Sequence, residues 1–270
     1  MTLNILAIGN SFSQDELTFL HQIAKSAGKD VTAVNLFIGG CSLEMHCENI
    51  KRNAALYEYQ VNGFCTGELV SIDTALGREK WDIIYTHQAS AISGLIRTYY
   101  PYLNILIEHV KSICPNAKFY LDETWAYEYN SDNEGFAIYH RDQKLMHERV
   151  KQTYEQVARE NSLSLIPCGD ALEAVRALSD FDFEHGGMSL HRDGFHMHFV
   201  YGRYLMGCVL YEYLLNGNAL DASFIPYVEE CGATDSNLID TIKYTVHGFM
   251  SLRRENEKDE KAITAGIYEK

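Results

Sequence analysis

The chain has 270 residues, 46% of them hydrophobic, so it can bury a substantial core and need not be more than one domain. Its formal net charge of -14 excludes a nucleic-acid binder, whose phosphate partner demands clustered Lys and Arg, and argues against docking on an anionic membrane. The seven cysteines are odd in number, scattered and without a CxxC pair, which fits free thiols in a reducing cytosol rather than a zinc knuckle or a redox pair.

Leu3–Ile8 reads as an apolar strand that runs into Gly9-Asn10-Ser11-Phe12-Ser13. No basic, apolar leader with a cleavage site precedes it, so a cytoplasmic location is expected. Asp15–Ala27 follows as a helix, with Leu17, Phe19, Leu20, Ile23 and Ala24 at helical spacing. Val31–Ile38 is a second strand ending at Gly39-Gly40, and Leu56–Val61 alternates as one arm of a hairpin. Asp82–Thr86 is a short buried strand. Tyr102–Cys114 is an amphipathic helix stopped by Pro115-Asn116, and Ala117–Leu121 is another strand. Arg141–Glu160 is a long helix, Ser164–Ile166 a short strand, and Asp170–Leu178 and Met197–Leu215 are helical. Strands separated by helices predict an α/β chain: a three-layer α/β/α sandwich on a mostly parallel sheet. The tail from 253 to 270 is charge-rich and reads as a solvated, frayed helix end.

Ligands of open parallel sheets sit beyond the carboxyl ends of the strands, and Ser11, Gly40, Gln88 and Trp125 all follow expected strands. A serine where a strand turns into a helix presents its hydroxyl beside free N–H groups, although a serine there also serves as a plain helix cap. It has no base of its own. Asp193-Gly194-Phe195-His196 supplies one, because in Asp-x-x-His the carboxylate reaches one imidazole nitrogen and leaves the other free. Gly40 allows close backbone approach, and the Gln88 side chain carries a donor. Trp125 offers an aromatic face to a sugar ring, or packs as core. Ser90 offers a second hydroxyl near Gln88.

These residues together resemble the SGNH (GDSL-type) hydrolase superfamily of esterases and lipases. Gly9-Asn10-Ser11-Phe12-Ser13 looks like its first block, Gly40-Cys41-Ser42 its second, and Asp193-Gly194-Phe195-His196 its last, in the family's order. The third block departs from it: Thr86-His87-Gln88-Ala89 stands where the family has Gly-x-Asn-Asp. The first block, with Ile38-Gly39-Gly40-Cys41 and Trp125-Ala126-Tyr127, is similar to a bacterial branch of the superfamily. The resemblance implies one hydrolase domain over residues 1–252, a Ser11–His196–Asp193 triad, and an oxyanion hole from the Ser11 and Gly40 N–H groups and Gln88. It implies a serine esterase acting on a small-molecule or carbohydrate ester, an acetylated sugar first among them, without a cofactor. Homo-oligomerisation is left open. Two other readings compete. One is a binding protein on the same scaffold with a degenerate site. The other is a metal-dependent hydrolase using His191, Asp193, His196 and His198, a set weighed below the triad, for which no metal is expected.

Overall fold

The computed structural model describes residues 2–268, with side chains as far as Lys258. The elements run β1 (Leu3–Gly9), α1 (Ser11–Leu17), α2 (Leu20–Ser26), β2 (Val31–Phe37), α3 (Leu43–Arg52), β3 (Tyr57–Val61), β4 (Phe64–Val70) and α4 (Ile72–Leu76). They continue β5 (Ile83–Thr86), α5 (Tyr102–Ile113), β6 (Lys118–Asp122), α6 (Gln143–Glu160), β7 (Ser164–Ile166), α7 (Cys168–Arg176), α8 (Tyr201–Leu214) and α9 (Ser236–Tyr268).

One seven-stranded sheet has the order β4-β3-β2-β1-β5-β6-β7. The five strands from β2 to β7 are parallel, and β3 and β4 add an antiparallel hairpin at one edge. The chain steps outward from β1 to β2 in one direction and from β5 through β6 to β7 in the other. Right-handed crossovers therefore place α1 and α2 on one face and α5 and α6 on the opposite face. α7, α8 and α9 join the α1/α2 layer, and α3 packs with α4 and α5. β1 is central, and Ile5, Leu6, Ala7 and Ile8 are fully buried, as expected of a parallel strand covered on both faces. No helix among the described residues is long and apolar enough to cross a membrane.

Most expected elements are present with ends moved by one to a few residues. The single helix over Asp15–Ala27 is two: α1 starts earlier, at Ser11, and the chain breaks at Thr18-Phe19. The early start has a local cause. The Asn10 side chain accepts from the Phe12 N–H, and Ser13 Oγ accepts from the Asn10 N–H, a reciprocal cap. The break packs closely: a Cβ at Gly63, in the β3–β4 turn, would come within 2.3 Å of the Thr18 carbonyl oxygen. α8 begins at Tyr201 rather than Met197, because Met197 is bridged to His191. The charged stretch from 253 also differs at its start. It continues α9, and Arg254 donates to the buried Glu212 of α8 at 3.0 Å, so the expected boundary at 252 falls inside a docked helix. The side chains after Lys258 lie outside the described residues.

α8 is buried nearly all round and passes behind the loop that carries His196. It approaches so closely that a Cβ at Gly202 would lie 2.3 Å from the Leu190 carbonyl oxygen and 2.9 Å from the Met197 sulfur. Gly202→Ala should therefore cost about 1–3 kcal/mol through overpacking. Thermal unfolding should show this as a fall in Tm of roughly 2–10 °C; an unchanged Tm would show that the contact yields freely.

Candidate active site

Three loops meet at the C-terminal edge of the sheet, after β1, after β2 and before α8. Asn10 ties the first two together. Its side-chain amide, buried, donates to the Cys41 carbonyl at 3.0 Å, so the turn holding Gly40 is pinned to the start of α1. Gly40 itself has φ +63°, a left-handed conformation that glycine adopts without strain. The backbone N–H groups of Ser11 and Gly40 meet no acceptor among the described residues.

The third loop brings in the imidazole. His196 Nε2 lies 2.8 Å from Ser11 Oγ, across 185 residues of sequence. His196 Nδ1 lies 2.7 Å from Asp193 Oδ2. Asp193 also accepts from the backbone N–H groups of His196 at 2.8 Å and Phe195 at 3.2 Å. Partial burial pushes this carboxyl up, but the bonds from the His196 ring and backbone outweigh it and hold it below the usual carboxylate range. The group is thus an ionised acceptor that fixes the ring with Nδ1–H toward Asp193 and Nε2 toward the serine. Gly194 has φ +81°, and a Cβ there would meet Ser131 Cα at 2.9 Å, so this tight turn needs glycine.

Two groups from the segment after β6 brace the turn. Trp125 Nε1 donates to the Phe195 carbonyl at 2.8 Å, and the Glu128 N–H donates to the Gly194 carbonyl at 2.8 Å. Trp125 also stacks on Phe12, with ring centroids 3.9 Å apart and planes at 4°. Its exposure is 0%, so no sugar can reach its face, and it supports the turn that carries His196. This corrects the expectation of a substrate platform.

Gln88 is corrected as well. It is fully buried, and its oxygen accepts from the Leu43 and Ala89 N–H groups at 3.1 and 2.9 Å. Its amide donates to the carbonyl and hydroxyl of Thr98 at 2.9 and 3.2 Å. The buried side chain thus joins α3 through its oxygen to the loop after β5 through its amide, which is turned toward Thr98. Ser90 is half-buried, with its hydroxyl 2.8 Å from that of Tyr127.

The histidine set considered for a metal does not converge. The His191 ring, fully buried, faces the Arg176 guanidinium at 3.2–3.3 Å, and its desolvation together with that guanidinium lowers it to about 4. His198 Nδ1 accepts from the Val200 and Tyr201 N–H groups, while His196 and Asp193 face Ser11.

Sequence reasoning missed the residue that joins the site's two halves. Asp15, with 0% exposure, accepts from Arg192 Nη1 through both oxygens at 3.0 Å, from Arg203 Nε at 2.8 Å and from the Met197 N–H at 2.9 Å. Asp15 is four residues beyond Ser11 on α1, hence on the same helix face, and Arg192 and Met197 flank the His196 turn. The i, i+4 spacing of Ser11 and Asp15 was the available signal.

The family model described as a domain of unknown function, DUF4886, matches residues 4–246. The crystal structure of a DUF4886 family protein from Bacteroides uniformis is 31% identical, covers 92% of this chain and 94% of its own, and superposes with a TM-score of 0.83. A putative SGNH hydrolase from Slackia heliotrinireducens is 20% identical, covers 79% of this chain and all of its own, with a TM-score of 0.55. A putative GDSL-like lipase from Parabacteroides merdae is 14% identical, covers 78% and 94%, with a TM-score of 0.52. At these identities the last two show a shared fold. No functionally curated protein matches the chain.

Removing the junction should be costly, because two guanidinium groups would lose a buried partner. Their side chains are 18% and 17% exposed, so the loss should fall somewhat below that of a fully buried pair. Asp15→Ala should lower the unfolding free energy by about 2–4 kcal/mol, read as a reduced urea midpoint at an unchanged slope. A midpoint equal to that of the unaltered protein would show that the two halves hold together without it.

Proposed function

The chain belongs to the DUF4886 family, and we propose that it is a serine esterase with Ser11 as nucleophile, His196 as general base and acid, and Asp193 as the group that orients His196. The observation that carries this reading is the unbroken relay from Ser11 Oγ to His196 Nε2 at 2.8 Å and from His196 Nδ1 to Asp193 at 2.7 Å. Its order of groups is that of a hydrolytic triad.

In this reading His196 Nε2 takes the Ser11 proton as Oγ attacks an ester carbonyl. The imidazolium so formed is stabilised by the ionised Asp193. The unpaired N–H groups of Ser11 and Gly40 face the negative charge that develops on the carbonyl oxygen. The tetrahedral intermediate collapses as His196 returns the proton to the leaving alcohol. Water then enters and loses a proton to His196 as its oxygen attacks the acyl carbon, and His196 returns that proton to Ser11 Oγ as the acid departs. The Ser90 hydroxyl, half-buried beside Tyr127, is the polar contact we assign to the substrate. An acyl ester on a carbohydrate, acetyl foremost, is the substrate class the superfamily resemblance supports. Trp125, being buried, adds nothing to it.

A second reading, a binding protein with a degenerate site, is favoured by one observation: the third-block side chain, Gln88, is sequestered. Two measurements separate the readings. Hydrolysis of short aryl esters should fall by roughly 10⁴-fold or more in Ser11→Ala, and a fluorophosphonate probe should label the unaltered chain at Ser11 alone. Ester turnover that survives the substitution, or a folded chain with neither turnover nor labelling, would end the esterase reading.

A further inference from the structure

Beneath the triad lies a group of titratable side chains that the proposed chemistry does not use. Glu16 from α1, His87 just after β5 and Asp122 at the end of β6 each have 0% exposure. One donor atom from each falls within 4.8 Å of the others. His87 Nδ1 stands 3.2 Å from Asp122 Oδ2 and 3.7 Å from Glu16 Oε1. Glu16 Oε1 and Asp122 Oδ1 are buried with no hydrogen-bond partner in the described structure. Buried carboxylate oxygens without a partner are costly, and require an explanation.

We propose that Glu16, His87 and Asp122 bind one divalent transition-metal ion, Zn²⁺ or Mn²⁺, as a structural site beneath the α1 helix. Three arguments carry it. The first is spacing. Metal–ligand bonds of about 2.0–2.2 Å separate neighbouring donors by roughly 3–4 Å, and His87 Nδ1 lies 3.2 Å from Asp122 and 3.7 Å from Glu16. The second is charge. Two carboxylates with a neutral imidazole balance a divalent cation, and among the described residues no Lys or Arg side chain bonds to any of the three. The third is support around the donors: the Tyr85 hydroxyl donates to Glu16 Oε2 at 3.0 Å, fixing the carboxylate from behind. The buried Cys168 thiol stands beside Asp122.

The three ligands come from α1 and the ends of β5 and β6, so an ion there would lock the nucleophile's helix to the centre of the sheet. The site is closed, and the ion would enter during folding. The full-length chain should therefore be unfolded in denaturant with EDTA, then refolded with Zn²⁺, with Mn²⁺, or with EDTA alone, and desalted. Metal analysis should find about one equivalent of one of these ions per chain, and the loaded protein should melt roughly 5 °C or more above the EDTA-refolded one. His87→Gln and Asp122→Asn should retain less than a tenth of an equivalent, while His191→Gln should retain the full amount. Because the substitutions are buried, the metal content and Tm of the unaltered chain decide the matter if either fails to fold. Less than a tenth of an equivalent together with identical Tm values would overturn the proposal and leave a proton-sharing cluster. Retention in a folded His87→Gln, or loss in His191→Gln, would equally overturn it.

Discussion

The carboxylate of Asp15 is the constraint on which the rest of this molecule's chemistry depends. Ser11, the proposed nucleophile, sits on a helix of only seven residues, too short to hold its place by its own hydrogen bonds. The imidazole arrives on a loop about 180 residues later. A rotation of α1 by one residue would turn Ser11 through about 100° and out of reach of His196. Asn10 fixes the start of the helix, and Asp15, one turn on, ties it to Arg192, Arg203 and Met197 on the far side of the imidazole turn. The contact between Ser11 and His196 is thus held in place by a structural ion pair outside it.

Much of the sheet could be read from the sequence because its strands are covered on both faces and appear as near-continuous apolar runs, Leu3–Ile8 and Val31–Ile38 above all. The elements that escaped are those whose partners are distant or polar. α3 buries Leu43, His46 and Cys47, a face with one strongly apolar residue. β4 is exposed at six of its seven positions, so only its pairing with β3 defines it. The beginning of α9 is a different case. Ile239, Ile242, Val246 and Met250 recur at helical spacing and are buried, and the signal was overshadowed by the charged stretch that follows.

The site divides along the same line. Ser11, Gly40, Asp193 and His196 are placed by short local motifs, and local motifs are what a sequence displays. Gln88 and Trp125 were located correctly at strand ends, yet a strand end does not say which way a side chain points. Gln88 turns toward Thr98 and Leu43, and Trp125 lies flat under Phe12. Both became part of the frame that holds the turns. Asp15 is the reverse case: a charged residue in a polar stretch, marked only by its i, i+4 spacing from Ser11 until its guanidinium partners are in view.

The hairpin at the sheet's margin leaves one row of main-chain groups on β4 unpaired, the kind of border onto which a neighbouring molecule can add a strand. Here the register slips between Glu58 and Gln60, and Gly67 takes φ +77°, so the outer strand is bent where it would otherwise be straight. Glu68 projects from the same rim and is engaged by Arg78. A kinked, charged border makes a poor template for ribbon-like stacking, so an exposed hairpin carrying Phe64 and Leu69 is guarded against aggregation by its own irregularity.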